Sequence, residues 1–381
     1  VLAFYISRGF NKTGLGSRIA YHFMALLGKK SLGLGYGLVA TALVLAPAIP
    51  SNTARAGGVV FPILRSVAEV YGSRPGDGTA KRMGAFLTVA AFQGTVITGA
   101  MFLTGMAANP LAVELAGAQG VEISWVGWAV AALVPGILSL ILVPWVIYRL
   151  FPPEILETPE ATDLARQHLK ELGPMSRAEW VMLAAFVLLL VLWILAGPLG
   201  VHVTTTALLG LVLLLITGVL TWSDVLSEKG AWDTLVWFSA LVMMASFLTE
   251  LGLIPWFSET VGLWFGGVGW VGAFLGLSLI FFYSHYFFAS NTAHVSAMYA
   301  PFLGVALAVG APPLLAALTL TFFNNLSSSM THYSTGPAPV LFGAGYVEVG
   351  DWWRLGLVVS FVNLAVWLGV GGVWWRVLGL W

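Results

Sequence analysis

Between Lys229 and Arg354 the chain carries no lysine or arginine. A water-exposed stretch of that length is not built without cations, because soluble domains are roughly 25% charged. Only 9% of the 381 residues are charged, and 59% are hydrophobic before the 44 glycines are counted. The composition excludes an ordinary water-soluble enzyme and predicts an all-α polytopic membrane protein in a lipid bilayer. At about 20 apolar residues per crossing, roughly nine or ten spans fit. The net charge is zero and no polybasic tail is present, so nucleic acid is not an expected partner. With no cysteine there are no disulfides, thiolate nucleophiles or Cys-ligated metals.

Val1 to Ser7 reads as the last turns of an apolar helix rather than a signal peptide, so the expectation is a chain truncated at its N-terminus, with any span count a lower bound. Residues 8–30 mix Arg8, Lys12, Arg18, Lys29 and Lys30 with apolar positions, the pattern of a helix lying on the membrane surface. The pairs Trp352-Trp353 and Trp374-Trp375 read as interface anchors. The one long hydrophilic stretch, 149–179, is a connecting loop with a short helix. Fourteen of the 17 basic residues lie at or before Arg177, and the positive-inside rule puts both the Arg74/Lys81/Arg82 loop and the 149–179 loop in the cytoplasm.

Ser51-Asn52-Thr53-Ala54 recurs as Ser290-Asn291-Thr292-Ala293. Each copy interrupts an apolar stretch whose two arms are too short to cross comfortably, which predicts re-entrant hairpins at about 31–66 and 268–309. Each is followed by a span broken by Gly and Pro, at Thr104–Pro110 and at Ser334–Pro337, because these residues free backbone groups that hydrocarbon cannot satisfy. The chain thus divides into a first repeat, 1–148, with its broken helix at 83–117; a cytoplasmic connector, 149–179; and a second repeat, 180–381, with its broken helix at 312–346. Spacing leaves the relative direction of the repeats open, although inversion is the commoner arrangement for paired interrupted helices around a transport site.

Half-helix N-termini carry unpaired N–H groups with partial positive charge, and two such tips facing two broken helices favour an anion. Ser51, Asn52 and Thr53 on one tip and Ser290, Asn291 and Thr292 on the other add neutral donors, one set for each carboxylate of a dicarboxylate. The same carbonyls and hydroxyls suit Na⁺ equally well. The fifth residues of the duplicated motif, Arg55 and His294, are candidate fixed cations that substitute for a bound ion. His285 and His332 read as hydrogen-bonded packing at the site's edge. No nucleophile with a recognisable base, phosphate loop or acidic metal cluster is visible, so an enzyme is not expected.

These residues resemble the divalent anion/sodium symporters, the DASS or anion permease family. The resemblance rests on the two Ser-Asn-Thr motifs and on Ser334-Thr335-Gly336-Pro337 followed by Phe342-Gly343-Ala344-Gly345-Tyr346. Pro50 to Gly58, Trp232-Asp233-Thr234-Leu235 and Thr331-His332-Tyr333-Ser334 are similar to the 2-oxoglutarate/malate translocator branch. That resemblance implies a homodimer with scaffold and transport domains and elevator movement. It also implies dicarboxylate contacts from Asn52, Thr53, Asn291, Thr292, Thr335, Gly336 and Pro337, with Thr104, Gly105, Asn109 and Ser334 at the ion sites or the substrate periphery. Where sodium-coupled members have a hydroxyl ligand four positions before each motif, this chain has Pro47 and Tyr286. The expectation is therefore an antiporter of 2-oxoglutarate, malate and succinate without a cofactor, in a bacterial inner membrane or plastid inner envelope. The alternative is a Na⁺-coupled dicarboxylate or citrate symporter.

Overall fold

The computed structural model describes residues 1–264 and 268–381, and among these every regular element is helical. The chain opens with α1 (Leu2–Thr13) and α2 (Leu15–Leu27), separated by Gly14 at φ 78, a left-handed conformation that stops one helix and starts the next. The expected surface helix is therefore two helices, and its apolar face is not left for lipid. In α2, Leu15, Ala20 and Met24 are buried, packed toward α3 (Ser31–Leu45). Arg18 points inward as well: its Nε lies 2.5 Å and its Nη2 3.2 Å from the two Glu179 oxygens, and Nη1 donates to the Gly173 carbonyl at 2.9 Å. Replacing Arg18 alone by Ala strands a buried carboxylate and is expected to destabilise the protein by about 3–5 kcal/mol. Arg18→Met with Glu179→Met recovers most of the loss, read as melting temperature in detergent.

The first hairpin turns at Ala46–Ser51 and returns through α4 (Asn52–Arg55), a π-helical turn at Ala56–Val60 and α5 (Phe61–Val70). Every residue of α6 (Gly84–Met101) is buried; the helix unwinds through extended residues Phe102 and Met106 and resumes as α7 (Ala108–Gly117). Then come α8 (Trp125–Leu150), the connector helix α9 (Pro159–Leu172), α10 (Arg177–Ile194), α11 (Ala196–Leu199) and α12 (Val203–Ile216). A polar corner holds α13 (Trp222–Ser227), followed by α14 (Lys229–Glu250) and α15 (Leu253–Trp264). The second hairpin descends as α16 (Trp270–Ser284) and returns as α17 (Asn291–His294), a π-helical turn at Val295–Tyr299 and α18 (Ala300–Ala308). The second broken helix is α19 (Pro313–Leu326) with α20 (Pro337–Phe342), and α21 (Val349–Leu364) and α22 (Gly372–Val377) finish the chain. In both hairpins the π-helical turn begins five residues after the motif serine, so the duplication extends to a rare backbone feature.

Among the described residues, five helices are long and apolar enough to cross a membrane. This is fewer than composition allows, because other apolar sequence is divided among helices too short to cross, such as α3 and α12, while two of the five are themselves the first half of a broken helix, α6, and the descending arm of a hairpin, α16. The tryptophan pairs are also not all at interfaces. Trp352 and Trp375 are each 2% exposed, the first packed on Phe92 with ring centres 4.7 Å apart, the second donating to the Ala131 carbonyl at 2.9 Å.

The ends of the elements give their directions. Ser31 N–H donates to Leu156 O at 3.0 Å, Tyr71 Oη to Glu160 Oε2 at 2.9 Å, and Glu154 N–H to Lys81 O at 3.1 Å. Both ends of the first hairpin and the start of α6 therefore meet the 149–179 connector on one basic face, the face that the positive-inside rule predicts to be cytoplasmic. Past α20, Tyr346 reaches that same face: a Cβ on Gly84 would lie 2.3 Å from its ring. The first broken helix starts at this face and the second ends there, so the two repeats are inverted.

On that face, Asp224 holds Lys12 at 2.6 Å and Arg8 at 3.3 Å. The hydrogen bond from Lys12, then those from Thr221, hold its carboxyl well below the usual carboxylate range. A depressed acid contributes stability above its unfolded pKa and loses it as pH falls through the folded one. Acidification below the ordinary Asp range is therefore expected to loosen the α1–α13 contact. The effect is at most about 1 kcal/mol for so solvent-screened a group, and Asp224→Asn should remove this pH dependence from the melting temperature.

Candidate functional site

Each hairpin tip packs against the unbroken half of its own repeat's helix and the far half of the other's. α4 touches α6 and α20, while α17 touches α19 and α7. The two repeats interdigitate at the breaks, where backbone groups released from helical pairing need other partners.

At the first tip, Ser51 caps α4 by accepting from the Ala54 N–H at 3.1 Å. Arg55 is wholly buried and turned back into the tip. Its Nη1 donates to the carbonyls of Ile49 (2.8 Å) and Gly105 (3.1 Å), and its Nη2 to Asn52 Oδ1 (2.6 Å), Thr95 O and Thr98 Oγ1 (both 3.4 Å). Among the described residues no carboxylate lies within ion-pair distance of it. The snorkelling expected of an arginine in a membrane segment is absent. A guanidinium thus sits inside the tip, faced by carbonyl, amide and hydroxyl oxygens and by no carboxylate among the described residues.

At the second tip, Ser290 accepts from the Ala293 N–H at 3.5 Å. Asn291 donates to Asn324 O and Ser328 Oγ, both at 2.6 Å, and its Oδ1 is buried without a partner. His294 is wholly buried, with Nδ1 3.1 Å from Asn324 Oδ1 and Nε2 3.0 Å from Ser284 Oγ. His285 Nε2 donates to the Ser334 carbonyl at 3.0 Å, and Trp353 donates to His332 at 3.0 Å. In each repeat the residue three after the motif asparagine thus ties the tip to its own broken helix.

The centre is sewn across the repeats. Asn325 Nδ2 donates to Asn109 Oδ1 at 2.8 Å, and Asn109 donates to Gly99 O and Phe102 O, each at 2.9 Å. A Cβ on Gly99 would lie 2.9 Å from Asn52 Nδ2 and 3.1 Å from Asn325 Oδ1; one on Gly336 would lie 2.1 Å from Thr53 Oγ1. Glycine at 99 lets the first tip and Asn325 close on α6, and glycine at 336 lets the first tip meet the second break.

The candidate residues therefore divide. Asn52, Thr53, Arg55, Gly105 and Gly336 gather around the first tip, and Asn291, His294 and Ser334 around the second. Thr292 is half-buried, Thr335 is 4% exposed, and Pro337 is buried at the first turn of α20. Thr104 braces the break, donating to Pro47 O at 2.8 Å and accepting from Trp125 Nε1 at 3.2 Å, while the Asn109 side chain is committed to protein groups. Tyr286, at 42% exposure, offers its carbonyl to Tyr333. Sequence reasoning missed Asn324, Asn325 and Ser328. Their signal was present, since two adjacent asparagines near the end of an apolar helix are costly unless they meet polar partners.

Two inverted repeats, two re-entrant tips and two broken helices meeting around hydroxyls, amides and an embedded guanidinium define a secondary transporter. The chain belongs to the sodium:sulfate symporter family, whose transmembrane-region model matches residues 1–381. It is 57% identical over its whole length to YflS of Bacillus subtilis, named as a candidate malate transporter, covering 80% of that protein. It is 52% identical to dicarboxylate transporter 1, chloroplastic, of Spinacia oleracea, covering 67% of it, and 41% identical to inner membrane protein YbhI of Escherichia coli, covering 80%. The crystal structure of the Alcanivorax borkumensis YdaH transporter shares the fold at TM-score 0.59 and 14% identity, over 98% of this chain and 84% of that one.

Proposed function

We propose that this protein is an inner-membrane antiporter that exchanges C4/C5 dicarboxylates such as malate, succinate and 2-oxoglutarate. The names of the Bacillus and spinach relatives support the substrate class, and that of the Escherichia coli relative the membrane. The exchange mode rests on one observation, the buried Arg55. Unwound helix carbonyls are the groups that coordinate Na⁺ in coupled transporters. Here those of Ile49 at the hairpin turn and Gly105 in the break already receive guanidinium N–H groups, joined by the Thr95 carbonyl of the intact helix α6. The cation that a symporter borrows from solution is built into the chain.

A dianion held by Asn52, Thr53, Asn291, Thr292 and Thr335 offsets that charge. One carboxylate of the dianion faces the guanidinium and the other leaves the loaded tip with one negative charge. Without substrate the guanidinium has no carboxylate to face, and it is this missing contact, rather than net charge, that keeps the empty carrier from crossing. Carrying a dianion against 100 mV costs about 4.6 kcal/mol, at roughly 2.3 per charge; swapping one dianion for another cancels it. The moving unit in this reading comprises both hairpins and both broken helices, riding as an elevator against a scaffold of the remaining helices in a homodimer.

The test is uptake of labelled 2-oxoglutarate by the full chain in proteoliposomes, with malate or nothing inside and with or without sodium. Exchange requires internal malate and ignores sodium. Uptake into empty vesicles driven by a sodium gradient establishes the symporter instead.

A further inference from the structure

On the cytoplasmic face an open cavity of about 840 Å³ lies between the returning arm of the first hairpin and α20, away from the residues assigned to substrate. Phe61, Arg65 and Glu69 of α5, Arg74 of the following loop, and Val340 and Tyr346 line it. A row of close contacts joins it to the first tip. Gly336 meets Thr53 at the tip; four residues further along each strand of the contact, a Cβ on Gly57 would lie 3.3 Å from Val340 Cγ1; Phe61, four residues beyond Gly57, stands in the cavity wall. Gly336, Val340 and Gly343 are all exposed, and so is Thr53. The open side of the tip therefore continues along α20 to the cavity.

The charges at its mouth favour an anion. Arg65 Nε lies 2.9 Å from Glu69 Oε1, whereas Arg74 has no ion-pair partner among the described residues. Arg82 stands nearby, with Nη1 3.2 Å from where a Cβ on Gly72 would lie. Two arginines and one glutamate leave the lining one positive charge in excess, and α20 brings no acid to oppose it. Asp77, in the same loop, feels the charge of Arg74 from outside the lining, and Arg82, also outside it, opposes that acid in sign.

We propose that this cavity is a recruitment site for dicarboxylates, where Arg65 and Arg74 hold a dianion before it passes along Phe61 and Gly57 to Thr53. The proposal rests on the dicarboxylate reading of the central site. Solvated arginines bind weakly and raise the local anion concentration and the on-rate rather than the affinity. Glu69 competes with the substrate for Arg65, which keeps release toward the tip fast.

Two measurements test it. In the full chain, sorted by orientation in proteoliposomes, Arg65→Gln with Arg74→Gln should lower kcat/KM for cytoplasmic malate about tenfold at low ionic strength. The deficit should shrink at 0.15 M salt, where the Debye length is about 8 Å. KM from the opposite face stays at the wild-type value, and Glu69→Gln shifts the cytoplasmic KM downward. Equal changes from both faces, or none, overturn the proposal.

The second measurement does not depend on transport. Because these 381 residues contain no cysteine, Val340→Cys provides a single thiol in the cavity wall. An anionic thiosulfonate should react faster there, relative to a neutral one, than it does after Arg65→Gln and Arg74→Gln, and malate should slow it. An unchanged reagent ratio removes the recruitment site even if the protein transports normally. A wild-type chain that fails to move malate while the ratio still falls counts against the central reading alone.

Discussion

Arg55→Met lowers malate-driven exchange by at least about a hundredfold. A carboxylate loses several kcal/mol of effective solvation on leaving water, and roughly 1.4 kcal/mol is a factor of ten. Without the guanidinium, the tip has no positive charge to offset that loss. Arg55→Lys separates charge from shape: an ammonium keeps the charge but cannot fork to Ile49 O, Gly105 O and Asn52 Oδ1 together, so partial exchange remains. Arg55→Ser leaves the same carbonyls facing a gap, and sodium should then restore part of the lost transport. These rates are read per reconstituted protein, with melting temperature in detergent as the control for folding. Wild-type exchange by Arg55→Met, at unchanged stability, removes the fixed-cation mechanism.

Gly336→Ala is expected to raise the substrate KM about 10- to 150-fold while sparing the fold. The new methyl falls 2.1 Å from Thr53 Oγ1, but the next Thr53 atom is 3.5 Å away, so rotation of the Thr53 side chain relieves the clash. That rotation takes the hydroxyl from the position where it meets a carboxylate. A hydrogen bond to a charged group contributes roughly 1.5–3 kcal/mol, which sets the range. Thr53→Ala alone should show a comparable KM, and combining it with Gly336→Ala should add little, since both remove the same bond. Strict additivity in that cycle places Gly336 in packing rather than in the positioning of Thr53.

Much of the fold was legible because membrane folding exaggerates local signals. A span must be apolar for its full length, and an interruption must be polar or rich in Gly and Pro, so the hairpins and breaks stand out at Ser51–Thr53, Thr104–Pro110, Ser290–Thr292 and Ser334–Pro337. The basic amphipathic stretch at 8–30 misled for a related reason: lipid and a neighbouring helix are equally apolar, and composition does not separate a face that meets lipid from one that meets α3. Trp375 belongs to the same class of error, since an indole whose N–H finds a carbonyl, here that of Ala131, is as stable in the core as at the interface. Trp352 is held instead by ring packing on Phe92, its N–H buried without a partner among the described residues.

The chain by itself determined that two copies of one device, a polar tip followed by a broken helix, lie in a membrane with basic loops on one side. Only the tertiary structure decided that the copies run in opposite directions, that each tip meets the far half of the other repeat's broken helix, and that Arg55 turns inward onto Ile49, Gly105 and Thr95. Periodicity and hydropathy act over one helix, whereas the partners of a freed carbonyl are chosen by segments about fifty residues apart, as Arg55 and Gly105 are.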